Sequence, residues 1–128
     1  MRIFATEIIE SVKGWQVFEK LLVDGVCLLD DFEKEIKGNP QYISEYRTIC
    51  SYMDFVANGK SLPQTKFREI KGGKLSVKRY EIKSKHLRVY AFSQPGGKIV
   101  VLGGYKNNQE ADIRHFNYLV KEYIASQT

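Results

Sequence analysis

The sequence predicts an α+β fold: a helical hairpin packed on an antiparallel β-meander, with a C-terminal helix, all helices on one face. Three observations lead there. Apolar residues recur at three- and four-residue steps from Tyr42 to Ala57. From Phe67 to Leu102, short runs of β-branched and aromatic residues alternate with Gly-, Pro- and Ser-bearing turns. After Asn107 the helical spacing returns. No repeat, low-complexity segment or long linker divides the 128 residues, so a single domain over 1–128 is expected.

Taken in order, Ile3, Phe4, Ala5, Ile8 and Ile9 predict a first strand around 2–10, and Lys13-Gly14 turns the chain. WQVFEKLLVDG then reads as a strand ended by Asp24-Gly25, although Trp15, Phe18 and Leu22 also fit a helix over 15–23. These first 25 residues form a candidate added hairpin. LLDDFEKEIKG predicts a short helix, capped by Asp30 or Asp31 and ended at Gly38. Asn39 is the expected cap of a long helix over 40–58, with Pro40 in its first turn. Phe67 to Ile70 is extended, and Gly72-Gly73 turns it. Val77–Ile82, Leu87–Phe92 and Ile99–Leu102 are strands, joined by Ser84-Lys85-His86 and by Gln94-Pro95-Gly96-Gly97. Ile113, Phe116, Leu119 or Val120, and Tyr123 share one face of the last helix.

Charge is unevenly spread. Residues 60–106 hold twelve Lys or Arg against two acids, Glu69 and Glu81, while residues 1–59 hold six against ten. Such asymmetry points to a polyanionic partner such as nucleic acid or an acidic protein. No apolar run reaches the ~18 residues a membrane span needs, and MRIFATEIIE carries no signal-peptide pattern, so a cytoplasmic protein without a membrane partner is expected. Cys27 and Cys50 lack any CxxC spacing and read as two buried thiols. The two Gly-Gly pairs are not a dinucleotide fingerprint. Neither a P-loop, a nucleophile elbow nor a metal-ligand constellation is found, so no cofactor and no metal are expected.

KFREIKGG (66–73), YEI (80–82), LRVYAF (87–92), GGKIVVLGGYKNNQ (96–109) and the helix from Ala111 to Ala125 occur in an order that resembles the RelE/HigB/ParE superfamily of bacterial toxins. The phage-derived HigB-like branch is the nearest. The resemblance covers roughly residues 28–125 and rests on several short motifs in sequence rather than one diagnostic signature. It implies a RelE-like fold and a type II toxin that cleaves messenger RNA on the ribosome, neutralised by a cognate antitoxin. The ParE-like branch shares the fold but inhibits DNA gyrase without catalysis, and an inactive RNA-binding module is a further alternative.

Metal-independent RNA cleavage needs a base for the ribose 2′-OH, cations for the charge on phosphorus, and an acid for the departing 5′-oxygen. The resemblance nominates Arg88 as a phosphate contact, since a guanidinium fork suits phosphate. It nominates Lys83 as base or clamp and Lys106 at the rim. Lys83 and Arg88 are expected to project toward one site that Lys106 completes. Tyr105 is a candidate for stacking or proton donation, and His86, on the turn beside Lys85 and Arg88, for the base. Lys85, Arg79, Asn107, Arg114 and His115 are further candidate RNA contacts. Two departures from the family pattern stand out. Asn107 replaces a second cation, and Glu81 stands where a lysine is common in the RelE branch, expected to pair with Arg79 or Arg88.

Overall fold

A computed structural model describes residues 2–127. The elements follow in the order β1 (Phe4–Ile8), β2 (Val17–Val23), α1 (Leu28–Ile36), α2 (Pro40–Ala57), β3 (Phe67–Ile70), β4 (Arg79–Lys83), β5 (Leu87–Gln94), β6 (Gly97–Tyr105), a 3-10 turn Lys106–Asn108, and α3 (Gln109–Ser126). The fold is α+β, as the residue pattern predicts. β1 and β2 pair antiparallel as a hairpin, so the competing helix over 15–23 is not formed.

The local signals explain most boundaries. Asn39 accepts a hydrogen bond from the Tyr42 N–H at 3.1 Å, and Pro40 opens α2 with its fixed φ. The cap of α1 differs from expectation. Cys27 occupies it, without a side-chain bond, and Asp30 and Asp31 lie inside the first turn, where they complement the positive end of the helix. Gly72 and Gly73 take φ of 89° and 76°, a left-handed turn that favours glycine.

The sheet has six strands in the order β1-β2-β6-β5-β4-β3. Strands β3 to β6 form the antiparallel meander. The sheet as a whole is mixed, which corrects the all-antiparallel expectation. Val17–Lys20 of β2 runs parallel to Gly97–Val100 of β6, docking the N-terminal hairpin onto the meander.

The helices also lie on both faces rather than one. The α1–α2 hairpin covers Ile82, Leu87, Val89, Ala91 and Val100. On the other face α3 packs Phe116, Leu119 and Val120 over Tyr90, Phe92, Ile99 and Leu102. The physical reason is in the strands themselves. LRVYAF and IVVL are apolar at consecutive positions, so each strand offers an apolar surface to both sides and each side must be covered.

One irregularity sets the site. Tyr90 pairs with Leu102 and Ala91 with Val100, so Val101 is an extra residue in β6. Side chains alternate along a strand, so this bulge reverses the facing of everything after it. Gly103 and Tyr105 thereby turn to the helical-hairpin face and Gly104 to the α3 face. A Cβ on Gly103 would meet Phe32 of α1 at 2.5 Å, and one on Gly104 would meet the Asp112 carboxylate of α3. The Gly-Gly pair thus lets both helices approach the end of β6.

Cys27 and Cys50 are free thiols. Cys27 is buried, whereas Cys50 is half-buried at the surface of α2. Among the described residues no helix is long and apolar enough to cross a membrane.

Candidate functional site

Where β6 ends and the β4–β5 turn comes back, an open hollow of about 510 Å³ is lined by Tyr42, His86, Tyr105, Lys106 and Asn107. Four of these five are candidates from the sequence. Three aromatic rings face each other: Tyr42 lies 5.6 Å from His86 and 5.6 Å from Tyr105, centroid to centroid. The Lys106 N–H donates to the His86 carbonyl at 2.8 Å, which fixes the turn against the end of the sheet.

Beneath His86 lies Glu45 of α2, only 7% exposed. Its carboxylate accepts from Ser84 Oγ at 2.6 Å, from the His86 N–H at 2.7 Å and from Gln41 Nε2 at 2.8 Å, and it meets His86 Nδ1 at 2.6 Å. Burial pushes this carboxyl up, but the hydrogen bonds from Gln41, His86 and Ser84 outweigh it and hold it at about 2. At neutral pH Glu45 is therefore an anion, and an ionised carboxylate can only accept. The Nδ1 of His86 must then carry the proton. In the neutral ring Nε2 is left with its lone pair, which is the arrangement of an oriented general base.

Tyr105 is anchored on the other side. Its hydroxyl donates to Glu35 of α1 at 2.6 Å. That bond, with burial and the Glu35 charge, pushes the phenol up to about 12, so it keeps its proton at neutral pH. Behind it an adjoining hollow of about 290 Å³ is lined by residues that include Glu35, Tyr105, Asp112 and His115. The Asp112 carboxyl is raised by burial, and its Oδ2 has no hydrogen-bond partner among the described residues.

The other candidates are placed differently, and three need correction: Arg88, Arg79 and Lys83. Arg88 is 7% exposed and lies on the α3 face. Its guanidinium donates to the Ser84 carbonyl at 2.6 Å and the Leu87 carbonyl at 2.8 Å, and its Nε stands 4.0 Å from Glu81. It braces the β4–β5 turn from inside and does not project into an open site. Arg79 is likewise buried, donating to the Asn117 side chain at 2.6 Å and to the Gly72 carbonyl. Lys83 sits opposite Arg88 in the ladder, so it shares the α3 face and is not brought to the hollow. Lys85 is exposed on the turn beside His86, and Arg114 is exposed on α3, paired with Glu110 at 3.4 Å.

Glu81 is fully buried. It accepts from Arg68 at 2.9 and 3.2 Å and from Gln109. Its main cationic partner is therefore Arg68 of β3; of the two expected partners, Arg88 stands at the edge of reach and Arg79 turns to Asn117. This residue ties β3, β4 and the first turn of α3 together.

Sequence reasoning missed Tyr42, Glu45, Glu35 and Arg68. Glu45 left a signal. It lies on the stripe of Tyr42, Tyr46, Ile49 and Met53, where a charged residue is out of place unless something satisfies it. Arg68 lies in the KFREIKGG motif but was given no role there, and Glu35 left no signal, since it reads as an ordinary surface charge. Among the described residues no group of three or more His, Cys, Asp or Glu is placed to hold a metal ion. Compared with models of known protein families, with curated proteins and with solved structures, the chain matches none.

Proposed function

We propose that this chain is a toxin-type endoribonuclease of RelE-like arrangement, which cuts messenger RNA on the ribosome in the cytoplasm and is held in check by a cognate antitoxin. The observation that carries this reading is the His86 imidazole, oriented by buried Glu45 at the wall of an aromatic hollow that also holds Lys106. Nucleotide bases stack on aromatic rings, and Tyr42 and Tyr105 supply two. The basic 60–106 section supplies the attraction for the RNA backbone.

Residues at the hollow take the following roles in this reading. The ribose 2′-OH gives its proton to His86 Nε2 as its oxygen attacks phosphorus. Lys106, with Lys85 nearby on the turn, offsets the charge that builds on the phosphoryl oxygens. The bond from phosphorus to the 5′-oxygen breaks, and that oxygen takes its proton from water in the open hollow, the Tyr105 O–H being engaged by Glu35. The products are a 2′,3′-cyclic phosphate and a free 5′-hydroxyl. Glu45 stabilises the imidazolium that forms.

Induction of the protein in cells is the test. The expected result is growth arrest with loss of translation and fragmented messages, abolished by His86→Ala in a folded protein. Arrest with intact messages and blocked gyrase would overturn the reading in favour of a ParE-like activity. A second reading, an RNA-binding module without catalysis, is favoured by one observation: burial of Arg88 leaves Lys106 as the cation lining the hollow. Under that reading induction leaves growth unchanged while RNA binding persists.

A further inference from the structure

We infer that two copies of this chain associate through β1, edge to edge, around a two-fold axis at Thr6. Strand β1 ends the sheet, and among the described residues no strand flanks its outer side. The direction of its backbone groups can be read from the bonds that continue its ladder. The Asp24 N–H donates to the Ile3 carbonyl, and the Ile9 N–H donates to the Phe18 carbonyl, each at 2.8 Å. Within that antiparallel register, odd-numbered residues point their N–H and C=O groups at β2. Phe4, Thr6 and Ile8 therefore turn theirs outward.

Natural sheets blunt such an edge with lysine, proline, a bulge or brevity. The opposite edge is blunted in this way: β3 has four residues, carries Arg68 and Glu69, and is flanked by Lys66 and Lys71. In β1, the five residues FATEI carry a single charge, Glu7, and have no lysine, no proline and no bulge. Large apolar side chains are exposed along it: Ile8 at its end is 61% exposed, and Ile3, the residue before it, 72%.

The occupant is identified by self-complementarity. In an antiparallel pairing centred on Thr6, Phe4 meets Ile8 of the second copy, Ile3 meets Ile9, and Arg2 meets Glu10. Glu7 falls opposite Ala5, so no like charges meet. The neighbouring registers that also join outward groups do worse. Centring on Glu7 sets Glu7 against itself, and centring on Ala5 sets Ile3 against Glu7 and Phe4 against Thr6. Along the same edge Tyr118 of α3 is half-exposed, with Arg2 stacked over its ring at 5.0 Å. It extends the apolar strip beyond the strand.

Sedimentation velocity over a concentration series tests this. The wild-type mass should rise from 14.8 kDa toward twice that value as concentration increases. Thr6→Pro should remain monomeric throughout, because proline removes an outward N–H and leaves the β1–β2 ladder intact. Ile8→Lys, a surface change that spares the backbone, should do the same, so a folding failure of the proline variant does not decide the question. Arg2→Glu should weaken association at least several-fold, and Arg2→Glu with Glu10→Arg should restore it. A wild type that stays monomeric overturns the inference. So does a dimer that persists in both Thr6→Pro and Ile8→Lys, or one that pairs only with a different protein.

Discussion

Replacing Glu45 by glutamine removes the buried anion while keeping the shape of the side chain. The wild-type carboxyl is held at about 2 against an ordinary 4.5, a difference worth about 3 kcal/mol in favour of the folded anion. The folded value lies below the unfolded one. That stabilisation is therefore complete above roughly pH 4.5 and is lost as pH falls through the folded value near 2. Glutamine still occupies the position but cannot titrate, and its amide must turn a donor toward one of the groups that now donate to Glu45. The expected cost at neutral pH is about 2–3 kcal/mol, in the range for charged hydrogen bonds with a buried partner left over. Urea unfolding of both proteins at neutral and acid pH reads this out. The gap between them should be widest at neutral pH and should close toward pH 2. Curves that stay parallel from neutral to strongly acid conditions would refute the buried-anion account, and with it the assignment of the Nδ1 proton on His86.

Other substitutions test other parts. Arg68→Met should cost about 3 kcal/mol in denaturant unfolding, because it strands the fully buried Glu81 charge with weaker partners. Gly103→Ala should cost about 1–3 kcal/mol through overpacking against Phe32, measured the same way. Lys98 is buried, with no acidic partner among the described residues; its amino group bonds Gln16 and lies over the Phe18 and Tyr80 rings, and burial lowers its pKa. Lys98→Met should therefore stabilise by about 1 kcal/mol at neutral pH, with the gain shrinking as pH rises toward the ordinary lysine value. Trp15, the sole tryptophan, is 81% exposed, so its native emission should lie at the water-exposed position and shift little on unfolding.

The elements were legible in the sequence because each carries a local signal. Asn39-Pro40 starts α2, Gly72-Gly73 turns the chain, and Gln94 to Gly97 closes a hairpin. What was not legible is how distant segments meet. The parallel contact of β2 with β6 depends on a long crossover, and no local pattern records it. The second helical layer was implied by consecutive apolar residues in LRVYAF and IVVL, which demand cover on both sides. The same distinction governs the site. His86, Tyr105, Lys106 and Asn107 cluster because they sit at two neighbouring strand ends of one meander, a short-range consequence of order along the chain. Arg88 was misplaced because its facing depends on which side of a two-sided sheet is open. The Val101 bulge, which turns Tyr105 toward the hollow, has no counterpart in a simple alternation of apolar residues.

The most direct measurement of the central claim is cleavage of a defined message on programmed ribosomes, with products mapped and their ends identified, by the wild type and by His86→Ala. The account predicts that the wild type leaves 2′,3′-cyclic phosphate ends. It predicts that His86→Ala lowers the single-turnover rate by about a hundredfold or more while ribosome and RNA binding are kept. Cleavage by His86→Ala at the wild-type rate, or no cleavage by the wild type under conditions where it binds, would contradict it.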